Sequence, residues 1–305
     1  LLPRIKGGEA IATVGDLTAK YDGVKGNSAA KTGIEAAYWD LLAQMEGMPL
    51  HKYWGGGKKR ALTGVSIGAA SIEDAIDRVD RAVDMGFPRI KLKIKPGADI
   101  ALLDAVRSRY PDLSLQADAN AAYTIADLGI LRQLDKFGLI LLEQPFSSHD
   151  LLDHARLQTQ IETPICLDES LKSFDSFRQA IELWNHIGKL NNLIVNIKPP
   201  RMGGYWEAVK AADLCQESGV RAFCGGMLDT SWTKLMNIQL SSHLAFVLPG
   251  DHAQQDPYFI EDIVNPPRVE SRGVITVSQM PQSMVRPSFE TIQRNTIGSK
   301  SYSLK

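Results

Sequence analysis

The sequence has little cysteine, no excess of either charge and no long apolar run. Three cysteines stand among 305 residues, Cys166, Cys215 and Cys224, without the spacing of a metal site, and their odd number disfavours a disulfide framework. The formal net charge is -1, which argues against nucleic acid or an anionic membrane as a partner. No stretch approaches the ~18 apolar residues that a membrane span needs. Since the first residues show no secretory apolar region, we expect a cytoplasmic protein.

Short apolar runs alternate with helical patterns from about residue 61 to about residue 255. Eight such units, each of about 25 residues, predict a parallel sheet closed into a TIM-type (β/α)7β barrel. The first barrel strand is predicted at 62–67 and the eighth at 246–248. A doubly wound open sheet is the alternative, but the Gly-rich phosphate turn expected after its first strand is missing.

Two further segments flank the predicted barrel. Apolar residues at helical spacing predict a helix over 27–46, which Gly47 and Pro49 end. Three glycines at 55–57, followed by basic residues, predict a flexible joint. We therefore predict a mainly helical domain at 1–57, the barrel at 58–255 and a C-terminal segment at 256–305 that packs back on the first domain.

Lys93, Asp118, Glu143 and Asp168 recur at intervals of 25 residues, each at or just after the end of a predicted strand. The carboxyl ends of parallel barrel strands are where catalytic groups gather, so we expect these side chains to converge. Three carboxylates without a thiolate or imidazole favour a hard cation, and Mg²⁺ is the natural candidate. None of the six histidines is placed as a ligand to it.

The run at 89–95 alternates apolar and basic residues, which places its lysines on one face of a strand. Inside a barrel, Lys91 and Lys93 need negative partners, and the predicted carboxylates supply them. Lys198 ends a later strand, shares a face with Asn196 and approaches the site from across the barrel. Two lysines beside a metal suit acid/base chemistry, and a cationic neighbourhood would lower the pKa of a lysine towards neutrality.

The motifs of the predicted barrel resemble those of the enolase superfamily, and within it the muconate-lactonizing subgroup. The matching runs are RIKLKIKPG at 89–97, ADANAAY at 117–123, LLEQPF at 141–146, CLDES at 166–170, NIKPPRMGG at 196–204, CGGM at 224–227 and LPGD at 248–251. They look most like o-succinylbenzoate synthases and N-acylamino acid racemases. Residues 34–50 also resemble the last helices of the family's α+β capping domain, so the resemblance implies a barrel with an N-terminally incomplete cap.

The resemblance implies a role for each matching residue. Three carboxylates would bind Mg²⁺, for which Mn²⁺ could substitute: Asp118, Glu143 and Asp168. Lys93 and Lys198 would be the acid/base pair, and Lys91 would neutralise the substrate carboxylate. The other positions that would face or support the substrate are Asn120, Glu169, Ser66, Gly225, Gly226 and Met227.

The reaction that this resemblance implies is the dehydration of 2-succinyl-6-hydroxy-2,4-cyclohexadiene-1-carboxylate to o-succinylbenzoate, a step of menaquinone biosynthesis. Racemisation of N-acylamino acids, or a related epimerisation, requires the same groups and is the alternative. A barrel that only binds or acts as a scaffold is a remote third possibility, because a binder has no need for two bases. We expect a small carboxylate substrate and a homo-oligomer, with no nucleic-acid or membrane partner.

Two stretches differ from the family's usual pattern. After CGGM the family usually continues with Glu-Thr-Gly and then Gly-Arg, whereas this chain has Asp229, with a shorter reach, and the bulky Trp232. The Gly-rich ending of the family is missing from 276–288. The resemblance therefore leaves the substrate side chain open.

Overall fold

The computed structural model describes residue 5 and residues 11–253, 260–279 and 285–299. Its strands are β1 (Arg60–Leu62), β2 (Val65–Ile67), β3 (Ile90–Lys93), β4 (Leu115–Asp118), β5 (Leu141–Glu143), β6 (Ile165–Leu167), β7 (Leu193–Ile197), β8 (Arg221–Cys224) and β9 (Val274–Thr276). Its helices are α1 (Val14–Ala19), α2 (Ser28–Glu46), α3 (Leu50–Tyr53), α4 (Ile72–Asp84), α5 (Ile100–Arg109), α6 (Leu128–Gln133), α7 (Leu151–Gln158), α8 (Phe174–His186), α9 (Pro199–Met202), α10 (Tyr205–Ser218), α11 (Ser231–Leu240) and α12 (Phe289–Arg294). Among these helices none is long and apolar enough to span a bilayer.

Strands β2 to β8 form one curled parallel sheet in which every strand pairs with its neighbours in chain order. Helices separate successive strands, as right-handed crossover connections require. This arrangement confirms the predicted α/β architecture with its parallel sheet.

The eighth barrel position is filled by single bridges, so the prediction of a regular strand at 246–248 is wrong. Phe246 forms a parallel bridge with Ala222 of β8, and Gly250 forms one with Thr63. Pro249 lies between these two bridges and has no N–H to donate, which interrupts a regular ladder. The two bridges nevertheless connect both edges of the seven-stranded sheet to the same segment.

The predicted first strand at 62–67 is divided between two sheets. Its first part belongs to β1, which pairs antiparallel with β9, and its second part is β2 of the barrel. Between them the Thr63 backbone N–H donates to Gly273 O, and the Gly64 N–H donates to Gly250 O. The chain changes partner here, so part of the C-terminal segment pairs with residues that directly follow the glycine joint. The domain boundaries given above stay predictions.

The polypeptide before the barrel packs on it mainly through α2, which starts and ends close to the predicted limits. Thr32 Oγ1 donates to Pro199 O at 3.1 Å, which ties α2 to the residue after Lys198. Trp54 stacks on Tyr205 of α10, with ring centroids 4.7 Å apart. Aromatic pairs of this kind add about 0.5–1.5 kcal/mol to the burial of their surface.

Inside the barrel an apolar layer lies below a polar one. The apolar layer consists of Leu141, Cys166, Ile194 and Phe223, all fully buried. Because side chains alternate along a strand, residues two positions further along face the same interior. Those positions hold Glu143, Asp168 and Asn196, so the interior becomes polar towards the carboxyl ends of the strands.

A fully buried carboxylate, Glu35, joins α2 to the start of α10. Its Oε1 accepts hydrogen bonds from Trp39 Nε1 at 2.9 Å and from the Trp206 backbone N–H at 2.6 Å. Its Oε2 has no hydrogen-bond partner, and a Cβ atom at Gly204 would lie 1.8 Å from it, so only glycine fits there. Burial raises the pKa of Glu35 to about 7, although the two hydrogen bonds act in the opposite direction.

We predict that Glu35→Gln flattens the dependence of stability on pH. The pKa of Glu35 is about 7 in the folded chain against 4.5 ordinarily, so the folded state binds more protons between these pH values. The free energy of unfolding of the unmodified chain should therefore fall by up to about 3 kcal/mol as pH rises from 4.5 to 7. The variant should lack that decrease in urea unfolding at pH 5, 6 and 7.5. The exposed Glu182→Gln is the control, and parallel curves for Glu35→Gln and the unmodified chain would contradict the prediction.

Candidate active site

The register of the sheet brings most of the predicted site residues to one end of the barrel. Lys93 is the direct neighbour of Asp118 in the β3–β4 pair, and Asp118 is the neighbour of Glu143 in the next pair. Glu143 lies opposite Cys166, so Asp168 is two residues further along and just past the end of β6. Three members of the 25-residue series are therefore register neighbours, and Asp168 lies two residues beyond the register partner of Glu143.

The predicted acids are buried and contact the predicted lysines. Asp118, Glu143 and Asp168 are at most 1% exposed. Lys93 Nζ lies 2.6 Å from Asp118 Oδ2, and Lys91 Nζ lies 3.2 Å from Glu143 Oε2 and 3.6 Å from Asp118 Oδ2. Buried carboxylates require such compensation, because an unpaired buried charge costs several kcal/mol.

Lys198 and Arg201 enclose Asp168. Lys198 Nζ lies 2.8 Å from Asp168 Oδ2, and the Arg201 guanidinium contacts the other carboxylate oxygen. Burial would lower the pKa of Lys198, but the charges of Asp168 and Glu143 outweigh burial and raise it. The lowered lysine pKa expected from the sequence presupposes a bound cation beside the lysine and stays a prediction.

Glu143 accepts hydrogen bonds from two amides that the sequence analysis did not include among the site residues. Asn196 Nδ2 donates to Glu143 Oε1 at 2.7 Å, and Gln116 Nε2 donates to Oε2. Strand alternation could have identified both amides, because residues two positions apart share a face of the strand. Gln116 precedes Asp118 by two residues, and Asn196 precedes Lys198 by two. These amides fix the orientation of the carboxylate.

Asn120 and Glu169 extend the cluster towards the surface. Asn120 Oδ1 accepts from Lys93 Nζ at 2.7 Å, and Asn120 Nδ2 donates to Glu169 Oε1 at 3.1 Å. The backbone of Asn120 has φ +43°, a left-handed conformation that asparagine tolerates better than most residues. Burial and the charge of Asp168 raise the pKa of Glu169, whose Oε2 has no hydrogen-bond partner.

The remaining predicted positions border this cluster. Ser66 is exposed and lies opposite Lys91 in the β2–β3 register. A Cβ atom at Gly225 would lie 2.0 Å from Asn196 Oδ1 and 2.6 Å from a carbon of Lys198, so glycine is required for both to pack. Gly226 lies against the backbone of the 248–251 segment, and Met227 is 46% exposed. The parts of these residues in substrate binding stay predictions.

Gln144 orients the strand end that carries Asp168, although the sequence analysis assigned no role to it. Its Oε1 accepts from the backbone N–H groups of Asp168 at 2.9 Å and of Ser170 at 3.2 Å. Its Nε2 donates to Ser170 Oγ at 2.7 Å and to Phe146 O at 3.0 Å. The LLEQPF motif could have indicated this role. A glutamine that follows a run of apolar residues is expected to be buried, and a buried amide needs several hydrogen-bond partners.

The chemistry of the donor set fits a hard divalent cation, since three buried carboxylates supply only oxygen. Within the part of the chain that the structure describes, no three His, Cys, Asp or Glu side chains are grouped closely enough to hold an ion as they stand. The lysine and arginine side chains described above neutralise the three acids instead. A bound cation would have to displace those groups from the carboxylate oxygens.

Comparisons with known proteins agree with this arrangement. The family described as "Enolase C-terminal domain-like" matches residues 74–281. An o-succinylbenzoate synthase of Geobacillus kaustophilus is 44% identical over 267 residues, which are 87% of this chain and 70% of that protein. An N-succinylamino acid racemase of Thermus thermophilus is 41% identical over 256 residues, 84% of this chain and 68% of that protein.

A solved structure shows the same fold over the whole chain. The crystal structure of an enolase-superfamily member from Listeria innocua is 35% identical and superposes with a TM-score of 0.90, covering 100% of this chain and 81% of that one. Superfamily neighbours of this kind combine a TIM-like barrel with a capping domain, which confirms the predicted fold class. The chain belongs to the enolase superfamily, and it is an enzyme similar to that superfamily's o-succinylbenzoate synthases.

Proposed function

We propose that the chain catalyses the Mg²⁺-dependent dehydration of 2-succinyl-6-hydroxy-2,4-cyclohexadiene-1-carboxylate to o-succinylbenzoate, as a cytoplasmic step of menaquinone biosynthesis. The observation that carries this proposal is the pair Lys93 and Lys198 beside three buried carboxylates at one end of the barrel. The 44% identity to a protein named o-succinylbenzoate synthase supports the choice of reaction. We further propose that the chain forms a homo-oligomer.

Asp118, Glu143 and Asp168 would hold the metal, for which Mn²⁺ could substitute. When bound, the ion supplies stabilisation of the negative charge that develops on the substrate carboxylate. Lys91 would then neutralise the same carboxylate from the barrel interior, where it is 3% exposed.

Lys93 is the proposed base, because its side chain is 40% exposed and can meet a substrate. As a neutral amine it takes the α-proton, and the electrons of the broken C–H bond move towards the carboxylate. The ammonium of Lys93 then returns that proton to the leaving hydroxyl while the C–O bond breaks. A ring double bond forms, water departs and Lys93 is neutral again.

Lys198 would remain an ammonium opposite the developing charge. Its Nζ lies 2.8 Å from Asp168, at the end of the barrel where the substrate would bind, which supports this part. Asp168 and the glycine at 225 restrict the position of its side chain.

The acid/base assignment predicts loss of proton exchange in single lysine variants. The unmodified chain with Mg²⁺ should exchange the substrate α-proton in D₂O, and Lys93→Ala should slow this exchange by roughly 100-fold or more. Lys198→Ala should also reduce it, because the enolate loses its ammonium partner. Lys189→Ala is the control, since Lys189 pairs with Glu162 at the opposite end of the barrel. Exchange that persists in both site variants, measured by NMR, would refute the assignment.

The metal assignment predicts weaker binding when a carboxylate becomes an amide. Glu143→Gln and Asp168→Asn should each raise the Mg²⁺ dissociation constant at least roughly 10-fold, because each loses an anionic ligand. Isothermal titration calorimetry measures this without any substrate. Asp80→Asn, which removes a surface carboxylate paired with Arg109, should bind as the unmodified chain does. Equal affinities in all four proteins would rule out these ligands.

Racemisation of N-succinylamino acids is the second candidate. It is supported by the 41% identity to a protein of that name, and two amines on separate strands suit proton transfer on two faces. We expect kcat/KM for the cyclohexadiene substrate to exceed kcat/KM for N-succinylamino acids when both are assayed together with Mg²⁺. The reverse ranking would make the racemase the main activity, and a chain inactive towards both would favour the binding or scaffold role.

A further inference from the structure

Arg89, Asp251 and Lys91 form a series of ion pairs next to the proposed metal ligands. Arg89, 1% exposed, donates from Nη2 to Asp251 Oδ1 at 2.5 Å and to Gly250 O at 2.8 Å. Its Nη1 donates to Gln116 Oε1 at 2.6 Å. The other oxygen of Asp251 accepts from Lys91 Nζ at 2.8 Å. Asp251 therefore bridges Arg89 to Lys91.

Asp251 is the nearest of the three acids around Lys91. Glu143 lies at 3.2 Å and Asp118 at 3.6 Å, and both of these are proposed metal ligands, whereas Asp251 is not. Lys91 is 3% exposed, and a buried ammonium needs an anion beside it because an uncompensated buried charge is strongly unfavourable.

A divalent ion at Glu143 and Asp118 would withdraw two of the three anions that Lys91 contacts. Without Asp251, Lys91 and Arg89 would then be neighbouring buried cations with no anion between them. Leaving a buried charge without its partner is strongly destabilising. The arrangement therefore requires one acid that stays with Lys91 when the other two serve the metal.

We propose that Asp251, anchored by Arg89, is the dedicated counter-ion of Lys91, and that it keeps Glu143 and Asp118 available for a divalent cation. Asp251 is thus a positioning residue that acts through Lys91. This inference rests on the proposed function, since it presupposes a metal at those carboxylates. Arg89 contributes rigidity, because its guanidinium is also held over the Phe223 ring at 5.3 Å.

The test is Mg²⁺ binding by isothermal titration calorimetry on the full chain. Asp251→Asn should raise the dissociation constant by about 10-fold or more, because Lys91 then pairs with Glu143 and adds uncompensated positive charge. The double variant Asp251→Asn with Lys91→Met should return the affinity to within about 3-fold of the unmodified chain, because the ammonium that would compete for Glu143 is removed. Arg89 keeps its hydrogen bonds to Gln116 and Gly250 in this variant. A purely structural effect of Asp251→Asn would not be rescued by removing Lys91.

A second variant, Lys91→Met, tests the proposal even if Asp251→Asn does not fold. Lys91→Met alone leaves Asp251 paired with Arg89, so it should bind Mg²⁺ at least as tightly as the unmodified chain. Asp99→Asn is the control, because Asp99 is a buried carboxylate that accepts from Tyr123 rather than from a lysine. Circular dichroism verifies the fold of every variant.

The outcomes separate this inference from the proposed function. If the unmodified chain binds no Mg²⁺, the proposed function fails, and this inference fails with it. If it binds Mg²⁺ and Glu143→Gln weakens binding, the metal assignment stands. Unchanged affinity in Asp251→Asn, no rescue in the double variant, or weaker binding in Lys91→Met would then overturn the counter-ion role alone.

Discussion

The structure depends on mutual neutralisation of acids and bases inside the barrel. Lys91, Lys93 and Lys198 enter from the strands with Asp118, Glu143 and Asp168, and each ammonium contacts at least one of these carboxylates. Buried ion pairs seldom increase stability over an apolar core of equal volume, because desolvation offsets much of the attraction. The apolar layer beneath them supplies packing that such a network does not. A catalytic role therefore explains this network of buried lysines and carboxylates better than a contribution to stability does.

The polypeptide that precedes the barrel also bears on the position of one catalytic lysine. The short helix α9 begins directly after Lys198, and α2 packs against it with Thr32 bonded to the carbonyl of Pro199. Glu35 of the same helix bonds to the start of α10. A shift of α2 would thus move the backbone that follows Lys198. The helical segment and the barrel site are mechanically connected.

A cavity lies against the helix that precedes the barrel, outside the cluster of lysines and carboxylates. Asp229 and Trp232, which depart from the family pattern, line a cavity of about 490 Å³ together with residues of α2. Asp229 is buried, accepts from the Met227 N–H at 2.9 Å and has its pKa raised by burial. This wall of the cavity therefore combines a buried carboxyl group with an indole.

The sequence by itself determined what depends on local periodicity. Alternation in 89–95 assigned Lys91 and Lys93 to the barrel interior, and the same rule places Arg89 there, because side chains along a strand repeat every two residues. Only the tertiary structure decided contacts that closure of the barrel creates. The LPGD motif includes Asp251, but no local pattern indicated that it meets Lys91 across 160 residues of sequence. The divided first strand, the bridged eighth position and the register offset of Asp168 likewise follow from which backbone groups meet when the sheet closes.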